Sequence, residues 1–204
     1  HGMNALFRSL DRGEDLERIS PDLTYNDPNK LGDIQYQTIV TIAESPKQFG
    51  LLYAGTDDGR LHVTRDSCAS WTEITAGLEP HRWISRVEAS RTAPGTAYVA
   101  QNGKRWDDFA PYLWRTTDFG QTWEDISGQI PSGPINVIKE DPHDTNVLYV
   151  GTDIGIYIST DNAKTWHVLG DLPSTFVHDL IVHPRDNILV IATHGRGMYA
   201  LDLD

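Results

Sequence analysis

The chain has 204 residues, with 29 acidic against 17 basic side chains and a formal net charge of −12 at pH 7. This charge argues against nucleic acid and anionic membrane surfaces as partners, because both repel an acidic protein. The single cysteine, Cys68, excludes an intramolecular disulfide framework. No apolar run approaches the ~20 residues of a membrane span, so no membrane insertion is predicted.

The chain opens with His1 and Gly2, ahead of Met3. A natural chain begins with Met, so the residues before Met3 indicate that residues 1–3 are a tag remnant. Whether a further domain lies upstream of this sequence is therefore an open alternative. Residues 5–19 give two short strands. The polar connection 21–37 that follows is longer than connections usually are, which marks it as functional or mobile.

A unit of four short strands then repeats along the chain, with no helix pattern between the units. The repeats lie near 38–79, 84–130 and 135–172, and a last repeat of three strands spans 177–203. Their second strands are closely similar, as in Leu-Tyr-Ala-Gly-Thr and Leu-Tyr-Val-Gly-Thr. Four-stranded antiparallel units repeated in this way predict that residues 4–204 form one all-β domain, a β-propeller with about four blades in this chain.

The connection between the third and fourth strands repeats most closely. We call its three copies, residues 61–71, 113–123 and 156–166, the aspartate hairpins. Each has an Asp in a turn and a Trp at the start of the next strand. The Asp side chain is suited to accept hydrogen bonds from its own turn, and we predict that the Trp is buried between sheets. The residues are Asp66 and Trp71, Asp118 and Trp123, and Asp161 and Trp166.

The aspartate hairpins resemble the Asp box, Ser/Thr-x-Asp-x-Gly-x-Thr-Trp, of the BNR-repeat families. These families include sialidases, two-propeller xyloglucanases and the sortilin (Vps10) ectodomain. The segments 151–157 and 192–199 also resemble the last blades of large bacterial BNR-repeat proteins described as sortilin-like or glycosyl-hydrolase-like. The resemblance implies an exported propeller, periplasmic or extracellular, with its ligand site opposite the Asp boxes. Cys68 and Ala163 stand where the families usually have Gly.

The two ends of the chain are complementary, because the first piece has only outer strands and the last repeat lacks a fourth strand. We therefore expect residues 5–19 to complete a composite blade with 177–203, which would cover both open edges. The resembling families have more blades than four. A C-terminal part of a larger propeller, and closure by a homodimer, are the alternatives.

The loops on the face opposite the aspartate hairpins hold the candidate ligand-binding residues. The loop 101–111 is much longer than its counterparts and combines aromatic, basic and acidic side chains, which is how proteins hold a sugar or a peptide. His194 shares its position in the repeat with Asp57 and Asp153, which indicates either a structural turn or a ring of ligand-facing groups. The candidates are Trp83, Arg105, Trp106, Asp107, Asp108, His194 and Arg196.

Two functions fit these residues. The first is a non-catalytic binding module for a glycan or a polypeptide. The alternative is a xyloglucanase-like glycoside hydrolase, which needs two carboxylates roughly 5–10 Å apart. Asp107, Asp108 and Asp58 are the candidate catalytic acids, and no spacing singles out a pair. The histidines lack metal-ligand spacing, so no metal and no cofactor are predicted.

Overall fold

The structure, a computed structural model, describes residues 3–30, 36–131 and 133–203. These residues form five antiparallel sheets and two short 3-10 helices, Pro28–Lys30 and Lys104–Trp106. The protein is a β-propeller, and the all-β prediction is confirmed.

The sheets follow one another in chain order. The N-terminal half-blade consists of β1 (Phe7–Arg8) and β2 (Glu17–Arg18). The first complete blade contains β3 (Ile39–Glu44), β4 (Leu52–Thr56), β5 (Leu61–Thr64) and β6 (Thr72–Glu73). The second contains β7 (Trp83–Ala89), β8 (Ala97–Asn102), β9 (Tyr112–Thr116) and β10 (Glu124–Asp125).

The third complete blade contains β11 (Ile135–Glu140), β12 (Leu148–Thr152), β13 (Ile156–Ser159) and β14 (His167–Val168). The last sheet has three strands, β15 (Val177–His183), β16 (Ile188–Thr193) and β17 (Met198–Asp202). Within every sheet, neighbouring strands are also neighbours in sequence. This up-and-down order places the third-to-fourth connections on one face and the second-to-third connections on the other.

The first strands of successive sheets pack side by side, β3 against β7, β7 against β11, and β11 against β15. Glycines in the second strands make this approach possible. A Cβ on Gly55 would lie 2.5 Å from Cγ2 of Ile84, and one on Gly151 would lie 2.5 Å from Cγ1 of Val177. Both contacts are shorter than van der Waals distance, so a larger residue would push the neighbouring blade away.

The N-terminal half-blade packs against the first blade. The amide of Ile39 donates to the Met3 carbonyl over 2.9 Å, and Leu6 and Leu23 join Ile39 and Ala54 in one buried cluster. The half-blade and the last sheet are separate sheets in the structure. The composite blade made from both ends therefore remains a prediction.

The aspartate hairpins share one pattern of hydrogen bonds. In the hairpin of the third blade, Asp161 accepts the backbone amide of Thr165 over 2.9 Å and its hydroxyl over 2.7 Å. These bonds, the hydroxyl first, lower the pKa of Asp161 to about 2. Cys68 and Ala163 both have positive φ, 74° and 65°, which explains why Gly is usual at this turn position.

The hairpin tryptophans join neighbouring sheets. Each indole Nε1–H donates to the carbonyl of the residue that directly follows the last strand of the preceding sheet, over 2.8 Å for Trp166 and 2.9 Å for Trp71 and Trp123. Trp166 is 6 % exposed, so its predicted burial is confirmed. Trp71 and Trp123 are only half-buried, so the prediction is correct for them in part.

Replacing Trp166 with Ala is expected to lower the free energy of unfolding by about 3–5 kcal/mol, because it opens a cavity and removes the bond to the preceding blade. Chemical denaturation measures the change. Val168→Ala, at an exposed position of β14, is the control, and its free energy of unfolding is expected to change by no more than ~0.5 kcal/mol. Equal midpoints for Trp166→Ala and the native chain would contradict the packing role.

Stability is also expected to fall in mild acid because of His62. Its side chain is 5 % exposed, and burial first, then the charge of Arg60, lower its pKa to about 4. In the unfolded chain, the His62 imidazole binds a proton near pH 6.5, whereas in the folded chain it stays neutral until the pH approaches 4. The part of the free energy of unfolding that depends on neutral His62 is therefore present above pH 6.5 and is lost as the pH falls toward 4. The loss attributable to His62 is about 2 kcal/mol between pH 7 and pH 4.5.

Denaturation midpoints measured across this range for the native chain and for His62→Leu would test the assignment. The variant should lose less stability than the native chain on acidification. His167→Leu, which makes the same substitution at an exposed histidine, is the matched control. If the denaturation midpoint falls with pH equally steeply in the native chain and in His62→Leu, His62 is not the cause.

Candidate functional site

The long loop between β8 and β9 is the centre of the face opposite the aspartate hairpins. It starts with the 3-10 helix Lys104–Trp106, which Asp107 ends in a left-handed conformation at φ 55°. The loop then returns to its start, where the Asp108 amide donates to the Gly103 carbonyl over 3.3 Å. A Cβ at Gly103 would lie 2.8 Å from the Asp108 carbonyl oxygen, so only Gly allows this close return.

Arg105 links this loop to the first blade. Its guanidinium lies 3.2 Å from the carboxylate of Asp57, which is 2 % exposed and also accepts the Thr38 amide over 2.8 Å. The same guanidinium lies over the rings of Trp83 and Tyr36, 5.1 and 5.8 Å from their centroids. The predicted ligand residue Trp83 is thus partly covered by another predicted ligand residue.

Lys104 links the loop to the third blade and the last sheet. Its ammonium lies 3.2 Å from the carboxylate of Asp153 and 5.0 Å from the ring centroid of Phe176. The Phe176 ring packs edge-on against His194 at 6.0 Å, and the His194 amide donates to the Phe176 carbonyl over 2.9 Å. Arg105 and Lys104 together fasten one loop to structure on both sides of its own blade.

Asp108 is fully engaged by its neighbours. Its carboxylate accepts from Arg82 and from the Tyr112 hydroxyl, both over 2.8 Å, and from the Ala110 amide over 3.1 Å. Burial alone would raise the pKa of Asp108, but these three donors outweigh it and lower the pKa. Burial and the Asp108 bond raise the pKa of Tyr112 to about 12. Asp108 is therefore poorly suited to donate a proton.

Asp58 has the opposite character. It is 1 % exposed and accepts hydrogen bonds from the Tyr25 amide, over 2.8 Å, and from the Thr56 hydroxyl. Burial raises its pKa against the effect of those bonds. A raised pKa suits a general acid, but a carboxyl group enclosed in this way cannot reach a polymer on the surface.

Among the described residues of this face, three aromatic side chains are exposed, and we call them the aromatic platform: Tyr25, Trp106 and Phe109, at 44 %, 37 % and 49 %. Tyr25 packs against His81 at 5.1 Å, and Arg82 lies over Trp106 at 5.5 Å. His81 and Arg82 are consecutive, so both rings contact one short segment. The exposed carboxylate of Asp107 follows Trp106 directly.

The structure thus brings five of the predicted residues into one loop region, namely Trp83, Arg105, Trp106, Asp107 and Asp108. His194 is joined to them through Phe176, and Arg196 is exposed in the same β16–β17 loop as His194. Sequence reasoning missed Tyr25, although it lies in the connection 21–37, whose unusual length was the available signal.

The described residues contain no group of three His, Cys, Asp or Glu side chains arranged to hold a metal ion. Within the same residues, no helix is long and apolar enough to cross a membrane.

Comparison with known proteins relates the chain to xyloglucanases in sequence. No family model matches the chain. It is 26 % identical over 146 residues to a xyloglucanase from Paenibacillus sp, covering 63 % of this chain and 14 % of the relative. It is 28 % identical over 159 residues to a xyloglucanase from Hypocrea jecorina (strain QM6a), covering 70 % and 18 %. The chain therefore spans less than a fifth of the length of these curated relatives.

The solved structures that resemble it are also propellers. The GH74 enzyme of Niastella koreensis superimposes with a TM-score of 0.63 at 21 % identity, over 82 % of this chain and 29 % of the enzyme. YCF48 bound to D1 peptide gives a TM-score of 0.61 at 19 % identity, over 83 % and 54 %. The chain is thus similar to xyloglucanases in sequence and to a GH74 propeller in fold.

Proposed function

We propose that the aromatic platform binds a neutral polysaccharide of the xyloglucan class without cleaving it. The observation that carries the proposal is the combination of exposed rings with three carboxylates, Asp57, Asp108 and Asp153, that cationic side chains of the protein already engage. The ligand class comes from the sequence similarity to xyloglucanases. Sugar rings present C–H faces that pack on aromatic side chains, and hydroxyl groups that neighbouring polar groups can orient.

Charge pairing on this face favours a neutral ligand. Asp57, Asp108 and Asp153 each lie within 3.2 Å of a cationic side chain. Pairing compensates the charge of these three carboxylates, although the chain as a whole has a net charge of −12. A balanced surface with exposed rings attracts an uncharged chain of sugars more readily than a strongly charged one.

The rings are also held in place before a ligand arrives. Arg82 is fixed by its ion pair with Asp108 and lies over the Trp106 ring. A ring that is already ordered loses little conformational entropy on binding, so more of the contact energy appears as affinity. This preorganisation supports binding at Trp106.

Hydrolysis is the second candidate, and the relatives named xyloglucanase favour it. It requires one accessible acid with a raised pKa and a second carboxylate. Asp107 is accessible, the pKa of Asp108 is lowered, and Asp58, whose pKa is raised, is buried. Binding without turnover is therefore the better-supported function.

A polypeptide ligand is the alternative occupant of the platform. The propeller similarity to YCF48 bound to D1 peptide supports it, since that structure shows a peptide held by a protein of this fold. We further propose that the aspartate hairpins are BNR-type Asp boxes and that the protein is exported. A polysaccharide is too large to reach a protein inside a cell, so export would follow from the ligand.

Trp106→Ala is expected to weaken binding to soluble xyloglucan by roughly 5- to 10-fold, because a ring contact is worth about 1 kcal/mol. Isothermal titration or affinity electrophoresis measures the change. Phe49→Ala is the matched control, since Phe49 is 89 % exposed in a loop on the opposite face. Equal losses of xyloglucan affinity in both variants, or no loss in either, would refute binding at the aromatic platform. Binding of peptides but not of xyloglucan would favour the polypeptide alternative.

Incubation of the native chain with xyloglucan is expected to release no reducing ends. If release occurs, the Asp107→Asn variant identifies its source. Asp125→Asn, which changes an exposed carboxylate on β10, is the control. Turnover that disappears in Asp107→Asn but persists in Asp125→Asn would establish the hydrolase and overturn the non-catalytic proposal.

A further inference from the structure

A cavity of about 290 Å³ lies between the second and third blades, both of which have all four strands. Asn162 of an aspartate hairpin lines it, so it opens on the face opposite the aromatic platform. The Glu140 carboxylate, at the end of β11, also lines it, and we call it the Glu140 cavity. Much of the remaining wall consists of hydroxyl-bearing side chains, namely Ser90, Thr92, Thr96, Thr117 and Thr145.

Glu140 is a buried acid without a cationic partner. It is 2 % exposed, and among the residues that the structure describes every group that donates to it is neutral. The Ser90 hydroxyl donates over 2.9 Å, the Arg91 backbone amide donates to the other oxygen, and the Tyr98 hydroxyl lies 3.5 Å away. Burial raises the pKa of Glu140 against the effect of these donors, because a buried charge is costly when no opposite charge compensates it.

A second buried acid of the same interface has the partner that Glu140 lacks. The Glu88 carboxylate is 8 % exposed and accepts from the Lys139 ammonium over 2.7 Å. The two acids therefore differ in one respect, since Glu88 contacts an ammonium group and Glu140 faces a cavity. An ammonium group inside the cavity would give Glu140 the same compensation.

The cationic side chain in the cavity wall, Arg115, is engaged by other groups. Its guanidinium donates to Glu124 over 2.7 Å and to Oδ1 of Asn162 over 2.6 Å. Arg115 therefore does not neutralise Glu140, and the compensating charge has to come from outside the wall.

We propose that the Glu140 cavity binds a small organic amine, and that an amino sugar is the class that fits it best. The ammonium group donates to the Glu140 carboxylate, and the sugar hydroxyls bond to the hydroxyl-bearing wall. The volume is at the lower end of small-molecule sites, roughly 300–1,000 Å³, so it suits one sugar ring rather than a polymer. The net charge of −12 favours the approach of a cation.

A bare metal ion fits the cavity less well. Calcium takes six to eight oxygen ligands and usually several carboxylates. The described residues contain no group of three His, Cys, Asp or Glu side chains that could hold a metal, and Glu140 is the one acid of this wall. The proposal is independent of the polysaccharide function, because the Glu140 cavity and the aromatic platform lie on opposite faces.

Titration of the protein with glucosamine, followed by calorimetry and by nitrogen-15 NMR, tests the proposal. Glucosamine should bind at least 10-fold more tightly than glucose or N-acetylglucosamine, which lack the ammonium group. The Arg91 amide resonance should shift, because this amide donates to Glu140. Equal affinities for the three sugars would overturn the ammonium site, and ethanolamine binding as tightly as glucosamine would overturn the amino sugar as its class.

Glu140→Gln keeps the shape of the side chain and removes its charge, so it should weaken glucosamine binding at least 10-fold. Glu44→Gln is the matched control, because Glu44 ends β3 as Glu140 ends β11 but is exposed and outside the cavity. Glucosamine binding that survives in Glu140→Gln would overturn the proposal.

A lysine at position 92 tests the site without changing Glu140, and it decides the question if Glu140→Gln does not fold. Thr92 is exposed, and its hydroxyl lies 3.3 Å from the Ser90 hydroxyl that donates to Glu140. Thr92→Lys should melt about 3 °C or more above Thr92→Met and no longer bind glucosamine. Leu10→Lys, at a position 87 % exposed, measures what an added positive charge does elsewhere. Equal melting of the two Thr92 variants, with glucosamine binding retained in both, would overturn the site.

Discussion

The contact between neighbouring sheets is the constraint on which the rest of this structure depends. A sheet of four short strands exposes two faces and cannot bury enough apolar surface alone, so each blade is stable only against its neighbours. Two devices set the spacing. Gly55 and Gly151 allow a first strand to approach closely, and the hairpin indoles bond to the preceding sheet at the outer edge. The tryptophan device recurs in all three complete blades, and the glycine recurs in the first and third, with Ala100 at this position in the second.

Fixed spacing is what allows a single loop to reach across blades. Arg105 and Lys104 are neighbours in one 3-10 helix, yet they pair with Asp57 and Asp153 on opposite sides. A small shift between blades would break one of these pairs and leave the nearly buried Asp57 without its cation, which is costly. The contacts between blades therefore position the ion pairs, and the ion pairs add little to the spacing of the blades.

The sequence predicts the repeating elements well and the site less well, for a physical reason. The strand order and the packing position of Trp166 follow from the repeat in the sequence, because each repeat can be compared with the other copies. The state of Asp108 depends on Arg82, 26 positions away, and on the left-handed turn at Asp107 that returns the loop to Gly103. A single loop that is not repeated cannot be compared with other copies in the chain. Its composition therefore indicated a candidate region but not which of its carboxylates are engaged by neighbouring side chains.

The position of the charged side chains bears on which ligands the aromatic platform could accept. The chain has a net charge of −12, but three acids around the aromatic platform, Asp108, Asp153 and Asp57, are paired with Arg82, Lys104 and Arg105. Most of the excess negative charge therefore lies on other surfaces. At physiological ionic strength its field fades over roughly 8 Å, so the field at the platform itself is weak. An anionic polymer long enough to extend past the platform would meet the unpaired acids, so the surrounding surface would favour the proposed neutral ligand over an anionic one.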